Sequence, residues 1–293
     1  MRDISLNQRQ FLGDENRDYH FSTAQYVILP IPYEGGISYG AGTAQGPDAV
    51  LDASAYLETF DLDLEMEPIR HGICTLNPLP IIEDHQQMNE TIYRATLQIL
   101  ESGKIPIIIG GDHSISSGEF KAFREPNKAL SCIQIDAHAD LRDSYMNSRF
   151  SHASVMARIR DMTPYTLHLG IRSLALEEAR RVREESIAMC TMRDYRRGSF
   201  DLQAALERLP DPVFLTFDVD ALDWSVVTAT GTPEPGGFTW DEIVELLGLI
   251  FKEKQIAGLD CVELSYHPHD RCSPFAVAKL VYKMIGLHIQ SGK

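Results

Sequence analysis

The sequence IQIDAHADLRDSYMNSRFSHAS runs from Ile133 to Ser154 and joins an apolar strand to a group of ionisable side chains. After the strand, Asp136, His138 and Asp140 occupy alternating positions. Successive residues of an extended chain point to opposite sides, so any extended portion projects these three side chains together. The pattern predicts three potential metal ligands that leave one strand end in the same direction.

Two other segments have the same form. IPIIIGGDHS places His113 just after an apolar run, and VFLTFDVDALD places Asp218 and Asp220 just after another. In parallel α/β folds the functional groups gather outside the carboxyl ends of the strands, where the connecting loops converge. We therefore expect the three strand ends to meet at one site.

Composition limits the possible partners. The chain has 293 residues and a formal charge of −15, from 42 acidic and 27 basic residues. This balance repels a phosphate backbone and attracts cationic small molecules, so nucleic acid is not an expected partner. The five cysteines contain no Cys-x-x-Cys pair, and no apolar run approaches signal-peptide or membrane-spanning character. We expect a cytoplasmic protein with reduced cysteines and no membrane contact.

Strand and helix patterns alternate along the chain. The nearly all-apolar strands predict an α/β fold in which a mainly parallel sheet is covered by helices on both faces. A TIM barrel stays open as an alternative, because about eight strands can be counted if His71 to Ile73 and Ile187 to Cys190 are included. The remaining predicted strands are Tyr26 to Pro32, Ile105 to Ile109, Leu130 to Ile135, Thr166 to Gly170, Val213 to Phe217 and Ile256 to Leu264. Four helices are predicted by their starting points: Gly46-Pro47, Ser114 to Ser117, about Ala153, and the capping box of Thr239. Four more are predicted over Met88 to Glu101, Glu177 to Glu184, Leu202 to Leu209 and the C-terminal segment.

A glycine-rich segment, YEGGISYGAGTAQGPDAV, follows the first strand. It contains neither Gly-x-Gly-x-x-Gly nor the P-loop pattern with its Gly-Lys-Ser/Thr ending. We therefore interpret it as a loop that supports the site or meets a neighbouring subunit, and not as a phosphate cradle.

Four aspartates and two histidines make up the predicted metal site. Taken singly, each motif is consistent with a capped loop. Taken together, so many anions at close range in a partly dry cleft are strongly unfavourable unless a cation is present. Two divalent ions about 3.5–4 Å apart with a bridging water would resolve the repulsion. The oxygen-rich set favours Mn²⁺ over zinc and leaves Fe²⁺ and Co²⁺ open. The six residues are His113, Asp136, His138, Asp140, Asp218 and Asp220.

The chain resembles the agmatinases of the ureohydrolase family, the arginase-like binuclear manganese enzymes. The motifs that carry the resemblance, in order, are SYGAGTAQGPDAV, GGDHS, DAHADLRD, SHAS, FDVDALD and GTPEPGG. The resemblance spans nearly the whole chain. It implies one three-layer α/β/α domain over residues 1–293 with a polar N-terminal arm of about 1–24, and a homo-oligomer, either a trimer or a hexamer.

The same resemblance implies how the ligands share two Mn²⁺ ions per subunit. His113 and Asp140 serve one ion, His138 and Asp220 serve the other, and Asp136 and Asp218 bridge them. Related deacetylases keep one zinc. The presence of both Asp140 and Asp220 favours the two-metal branch.

A mechanism follows for hydrolysis of a guanidinium group. The bridging hydroxide is expected to attack the guanidinium carbon, since metals lower the pKa of bound water to about 7. His152 resembles the family's proton-transfer histidine, and Glu263 matches the acid that orients the guanidinium. Together with Asp140 they form the predicted catalytic set. The plain alternatives are a loop histidine without a role, and a carboxylate that is solvated or paired with Arg271.

We predict that the substrate is agmatine, which water converts to putrescine and urea, with Asp143, His152 and Glu263 binding it. Asp143 would receive the ammonium, whereas Arg142 or Arg149 could receive a carboxylate in arginine or guanidinobutyrate. Formimidoylglutamate as the substrate, or a noncatalytic metal-binding scaffold of the same fold, stays open as well. Two loops depart from the family pattern, at 223–230 and 266–270, and Trp224 in the first could contact a cationic tail.

Overall fold

A computed structural model describes residues 5–16, 20–36 and 38–292. Residues 1–4 and 17–19 of the predicted N-terminal arm, and Ile37 of the glycine-rich loop, lie outside the described residues. The described part of the arm packs onto the body of the protein: Phe11 and Leu12 are buried, and the ring of Phe11 lies 6.4 Å from that of Tyr282. The arm is therefore polar in composition but anchored by apolar contacts.

Eight parallel strands form one sheet in the order β2-β1-β3-β8-β7-β4-β5-β6. Within the described ranges β2 and β6 do not pair with each other, so the sheet is open and the TIM-barrel alternative is wrong. The strands are β1 (Tyr26–Ile31), β2 (Ile73–Thr75), β3 (Ile105–Gly110), β4 (Ser131–Ile135), β5 (Thr166–Ile171), β6 (Ala188–Thr191), β7 (Val213–Asp218) and β8 (Ile256–Val262).

Helices cover both faces of the sheet, which confirms the predicted three-layer architecture. On β3, Ile107 and Ile109 pack in one apolar cluster with α1, α8 and α9, while Ile108 packs with α2 in another. No helix in the described part of the chain has the length and hydropathy needed to cross a membrane. The helices are α1 (Gly46–Ser54), α2 (His85–Glu101), α3 (Ser116–Arg124), α4 (Val155–Arg160), α5 (Leu176–Glu184), α6 (Met192–Arg197), α7 (Leu202–Glu207), α8 (Trp240–Glu253) and α9 (Cys272–Ser291).

Most boundaries lie within a few residues of those predicted, and some of the differences occur where strands pass into the site. Short 3-10 turns at His113–Ile115 and His152–Ser154 precede α3 and α4, where the sequence predicted α-helix directly. The predicted strand at His71 begins only at Ile73, because a 3-10 turn and Gly72 in a left-handed conformation come first. Helix α6 was not predicted. Thr239 caps α8 in the predicted capping box with Glu242.

The strands that carry the motifs are neighbours at the centre of the sheet. The order β3-β8-β7-β4 brings together the carboxyl ends that are followed by His113, Glu263, Asp220 and Asp136. The backbone N–H of Glu263 donates to the carbonyl of Gly111 at 2.8 Å, joining the ends of β8 and β3 beyond the regular ladder. Because the four ends meet at one edge, the predicted metal ligands and Glu263 lie close together.

Candidate metal centre and active site

His113 is surrounded by carboxylates. Its Nδ1 lies 3.1 Å from Asp136 Oδ2, 3.1 Å from Asp140 Oδ2 and 3.3 Å from Asp218 Oδ2. All four side chains are buried. His113, Asp136 and Asp140 each offer one donor atom within a span of 4.8 Å, a separation suited to ligands of one ion.

A second group forms around His138. Its Nδ1 lies 2.8 Å from Asp220 Oδ2 and 3.7 Å from Asp136 Oδ1. These three residues also bring donor atoms within 4.8 Å of one another. Asp136 therefore contributes one oxygen to each group, which is the placement expected of a carboxylate that bridges two ions.

The backbone brings Asp140 to the site by a route other than the predicted one. Strand β4 ends at Ile135, and Asp140 has a left-handed φ of 54°. Simple alternation along an extended chain would require φ near −120°. Asp136, His138 and Asp140 do lie close together, as predicted. They are not brought together by an extended backbone, however, because the chain adopts a left-handed conformation at Asp140.

The charges in this cluster call for a cation. Burial, followed by the charge of Asp136, raises the pKa of Asp140 to about 7, and burial and the neighbouring aspartates raise the pKa of Asp218 well above its usual range. Burial lowers the pKa of His138, but the charges of Asp220 and Asp136 outweigh it and raise this pKa to about 12. Among the described residues, His113 Nδ1 has no hydrogen-bond partner although it is buried beside carboxylates. This oxygen-rich donor set with an orphaned imidazole nitrogen fits a pair of divalent metal ions.

A buried chain of side chains orients Asp136. Gln134 donates from Nε2 to Asp136 Oδ2 at 2.7 Å and to the carbonyl of His138 at 3.2 Å, and its amide oxygen lies 2.5 Å from His168 Nδ1. Burial lowers the pKa of His168 to about 3, so the ring is neutral at pH 7 and its Nδ1–H donates to Gln134. Sequence reasoning missed both residues, although a glutamine and a histidine inside otherwise apolar strands were a visible signal.

A similar contact fixes the ring of His113. Its Nε2 lies 2.8 Å from Thr216 Oγ1, which donates to Ser116 Oγ at 3.3 Å. When Nε2 carries the hydrogen and donates it to Thr216, the lone pair of Nδ1 is left to bind a metal. Setting the tautomer in this way is the usual role of a residue that hydrogen-bonds to a metal-binding histidine. Behind this contact lie Asp260 and Glu119, both buried; burial, and for Glu119 also the charge of Asp260, raises the pKa of each.

A cavity of about 190 Å³ opens onto the cluster. His152 lines it, with Nε2 3.3 Å from Ser38 Oγ and its ring edge-on to Tyr145 at 5.7 Å. Burial, with the positive charges of His113 and His138, lowers the pKa of His152 to about 4, so the ring is neutral. The lining residues are Ser38, His113, His138, Asp140, Arg142, Tyr145, His152, Ala153, Asp218, Asp220, Thr232 and Glu263.

Glu263 is buried in the same cavity, which rules out a solvated carboxylate. It has a left-handed φ of 67°, uncommon outside glycine, and its Oε1 accepts the backbone N–H of His113 at 2.7 Å. Burial, followed by the charge of Asp112, raises its pKa well above the usual range. A positively charged ligand beside this carboxylate would offset that unfavourable setting.

Asp143, predicted to bind the substrate ammonium, does not line the cavity. Its side chain is 76% exposed, and its Oδ1 accepts from Arg158 at 2.8 Å and from Arg149 at 3.3 Å. Arg142 does line the cavity, but its Nη1 lies 2.9 Å from Glu177 and its guanidinium covers the ring of Tyr145. Within the DLRD motif, Arg142 and not Asp143 therefore lines the cavity, and Asp143 pairs with Arg149 and Arg158 outside it.

The glycine-rich loop supports the site, which was one of its two predicted roles. The N–H of Gly36 donates to Asp112 Oδ2 at 2.7 Å, and the carboxylate of Glu34 accepts the backbone N–H groups of Gly42 and Ala44, each at 2.8 Å. A Cβ on Gly46 would lie 2.2 Å from the carbonyl oxygen of Leu264. The loop is thus pressed against the strand ends that carry the candidate ligands.

The two loops that depart from the family pattern contact each other. Thr228 Oγ1 donates to Asp270 Oδ2 at 2.9 Å, and Ser273 Oγ accepts the N–H of Thr228 at 3.0 Å. Trp224 is 50% exposed and does not line the cavity. The unusual sequences of 223–230 and 266–270 therefore form one joined unit beside the site.

Comparison with known proteins identifies relatives of the whole chain. A model of the arginase family matches residues 24–286. The N(1)-aminopropylagmatine ureohydrolase of Thermus thermophilus is 35% identical over 94% of this chain and 94% of its own length, and the agmatinase of Pyrococcus horikoshii is 36% identical over 90% and 92%. The crystal structure of the agmatine ureohydrolase of Thermoplasma volcanium superposes with a TM-score of 0.87 at 26% identity, covering 97% of this chain and 95% of that one.

Proposed function

Since the chain belongs to the arginase family and is a hydrolase of guanidino C–N bonds, we propose that it converts agmatine and water to putrescine and urea. The observation that carries the proposal is the pair of ligand groups sharing Asp136. His152 and Glu263 line the same cavity as these groups.

The proposed cofactor is two Mn²⁺ ions per subunit. His113 and Asp140 would hold one ion and His138 and Asp220 the other, with Asp136 and Asp218 between them. The four oxygen donors and two imidazoles support manganese over zinc, whose sites are richer in nitrogen or sulfur. When bound, such a pair supplies water activated for nucleophilic attack at neutral pH.

Glu263 would bind and orient the guanidinium. Its buried carboxylate can accept N–H bonds from a planar cation, and charge-assisted bonds of this kind are about twice as strong as neutral ones. One of its oxygens is already engaged by the N–H of His113, which fixes the direction of the other. The substrate would therefore be held against the ends of β3 and β8, beside the candidate ligands.

His152 would move the proton that the departing amine requires. Its ring is neutral at pH 7, lines the cavity and reaches Ser38 through Nε2. It can accept a proton as water attacks and deliver it to the amine as the C–N bond breaks. Urea and a protonated amine are the products, which balances the reaction of a guanidinium with water.

Two observations bear on which tail the substrate carries. The relatives named above act on agmatine or on its aminopropyl derivative, and both compounds carry an ammonium group four methylenes from the guanidine. Arg142 favours a second candidate, a substrate that ends in a carboxylate such as arginine, because its guanidinium lines the cavity. The ion pair with Glu177 offsets that charge, and the excess of acidic residues over the whole chain supports the cationic tail.

The test is urea release by manganese-loaded protein given agmatine, N(1)-aminopropylagmatine or arginine at equal concentrations. Release from the two compounds without a carboxylate and not from arginine is the expected result. Release from arginine alone would replace agmatine by the second candidate. Bound metal without urea from any of the three would overturn the proposal in favour of a noncatalytic scaffold.

The proposal extends to the setting of the enzyme. The family resemblance supports a single catalytic domain in a trimer or hexamer, and five cysteines without a Cys-x-x-Cys pair support a cytoplasmic location. Light scattering coupled to size-exclusion chromatography tests the oligomeric state, and fractionation of producing cells tests the location. A monomer that turns over at full rate would remove the oligomer from the proposal.

A further inference from the structure

We propose that Glu234 receives the ammonium group of the substrate tail and so selects amine-bearing guanidino compounds. The inference rests on the proposed function, and it replaces the role expected of Asp143. Glu234 lies in the GTPEPGG segment between β7 and α8. Its carboxylate is 35% exposed, and its Oε1 lies 4.0 Å from His138 Nε2.

Glu234 differs from the other carboxylates around the site in having no close partner for its charge among the described residues, although the charges of His138 and Arg172 lie nearby. Asp143 is paired with Arg158, Glu177 is paired with Arg142, and Glu34 accepts backbone N–H groups. Among the described residues the carboxylate of Glu234 accepts no hydrogen bond, and its one ion-pair contact is the distant approach to His138. It is therefore available to an incoming cation.

The backbone of Glu234 is held firmly although its side chain is free. Arg172 donates from Nη2 to the carbonyl of Glu234 at 2.8 Å and to that of Asp220 at 2.6 Å, and from Nε to the carbonyl of Pro235 at 3.1 Å. A Cβ on Gly237 would lie 2.4 Å from the carbonyl oxygen of Ala221. The loop is thus clamped against the segment that carries Asp220, which fixes the backbone of Glu234 relative to the candidate metal ligands.

This arrangement matches the chemistry of an amine tail. Glu234 does not itself line the cavity, but two of its neighbours do: Thr232 of the same loop, and His138, whose Nε2 lies 4.0 Å from Glu234 Oε1. A guanidinium bound at Glu263 would leave the rest of the substrate to extend past these residues toward Glu234. A charge-assisted bond between this carboxylate and an ammonium would contribute to affinity, and the fixed backbone limits the freedom that Glu234 loses on binding. In the aminopropyl derivative the ammonium nearest the guanidine would bind Glu234, and the longer tail would continue outward.

A competing role for Glu234 is to orient His138 by accepting its Nε2–H, as outer partners of metal-binding histidines do. The two roles differ in what they predict. An orienting residue affects metal retention and every substrate equally. A tail receptor affects only substrates that carry the ammonium, and affects KM more than kcat.

The experiment compares wild-type enzyme and Glu234→Gln, both manganese-loaded, with agmatine, N(1)-aminopropylagmatine and butylguanidine, which has the same four-carbon chain without the ammonium. We expect KM for the two amines to rise about 10- to 100-fold, the range for one charge-assisted hydrogen bond. Activity on butylguanidine and the manganese content should not change. Inhibition by 1,4-diaminobutane should weaken in parallel while inhibition by the guanidinium ion does not, a readout that holds even if butylguanidine turns over poorly.

Two further variants act as controls. Glu184→Gln removes one negative charge from an exposed position at the end of α5 and should leave KM for agmatine unchanged. Glu234→Asp keeps the charge on a shorter side chain and should restore part of the agmatine affinity. Unchanged KM for agmatine in Glu234→Gln, or equal losses with butylguanidine and a lowered manganese content, would overturn the inference. If the wild type releases no urea from any guanidino compound, the proposed function fails first, and that result is distinct from both.

Discussion

The floor and the mouth of the site are built differently. The floor consists of side chains at the buried ends of β3, β4 and β7, and Gln134, His168 and Thr216 hold these side chains in turn. The mouth consists of loops whose polar groups pair with one another near solvent, such as Asp143 with Arg149. From this difference we expect the sheet to fix the hydrolytic chemistry and the loops to select the substrate.

The largest expected effect is at the residue shared by the two ligand groups. Asp136→Asn removes the charge that faces both His113 and His138, so manganese affinity should fall by more than the roughly 100-fold upper range for an outer partner. Metal analysis of the purified variant and its urea release at saturating agmatine check this. A variant that keeps two ions would show that the floor does not depend on Asp136.

His152 tests whether catalysis at the floor separates from metal binding. His152→Ala should lower kcat by about 10²- to 10⁴-fold, the usual contribution of a general acid–base group, while both ions stay bound. Steady-state kinetics and metal content, measured on the same preparation, give the answer. Loss of manganese together with activity would contradict the separation of roles.

The buried supports of the floor should have an intermediate effect. Gln134→Met removes the amide that donates to Asp136 and should lower manganese affinity about 10- to 100-fold. Ser131→Ala is the matched control, because Ser131 lies on the same strand and donates to the carbonyl of Pro210, away from the ligands. Titration of metal-free protein with Mn²⁺ distinguishes the two. Equal affinities would mean that Asp136 needs no support.

The protonation of His168 makes the free energy of unfolding of the protein depend on pH. Its pKa is about 3 in the folded protein and about 6.5 when unfolded, so below pH 6.5 the unfolded chain binds a proton that the folded protein does not. This contribution to stability is complete above about 6.5 and is lost toward pH 3, by at most about 1.4 kcal/mol per pH unit. Urea unfolding of wild type and His168→Asn, both metal-free, at pH 7 and pH 5 should show a smaller loss in the variant. The same loss in both would disprove the assignment.

The smallest effect is expected at the mouth. Trp224→Ala should change the free energy of unfolding by no more than about 0.5 kcal/mol, because half of the side chain is exposed. KM for agmatine should change less than about fivefold, the limit for an exposed cation–π contact. Chemical denaturation and kinetics check both values. A larger rise in KM would place Trp224 in the substrate path and weaken the contrast between floor and mouth.

The same contrast explains what could be predicted from the sequence. His113, Asp136 and Asp220 were predictable because they follow apolar strands, and a parallel sheet brings such strand ends to one edge. Asp143 was misplaced because the direction of a loop side chain depends on partners distant in sequence, here Arg158 on α4. Gln134 and His168 were missed because their role is defined only by a contact across two strands, β4 and β5.

Strand β8 is the last strand to leave the ribosome, yet it lies between β3 and β7 at the centre of the sheet. Strands β4 and β7 pair directly, so the group of Asp136, His138 and Asp220 can form without β8, whereas the strand that precedes His113 reaches β7 only through β8. Completion of the site should therefore be a late event, and a chain that stops before Val262 should yield no active product.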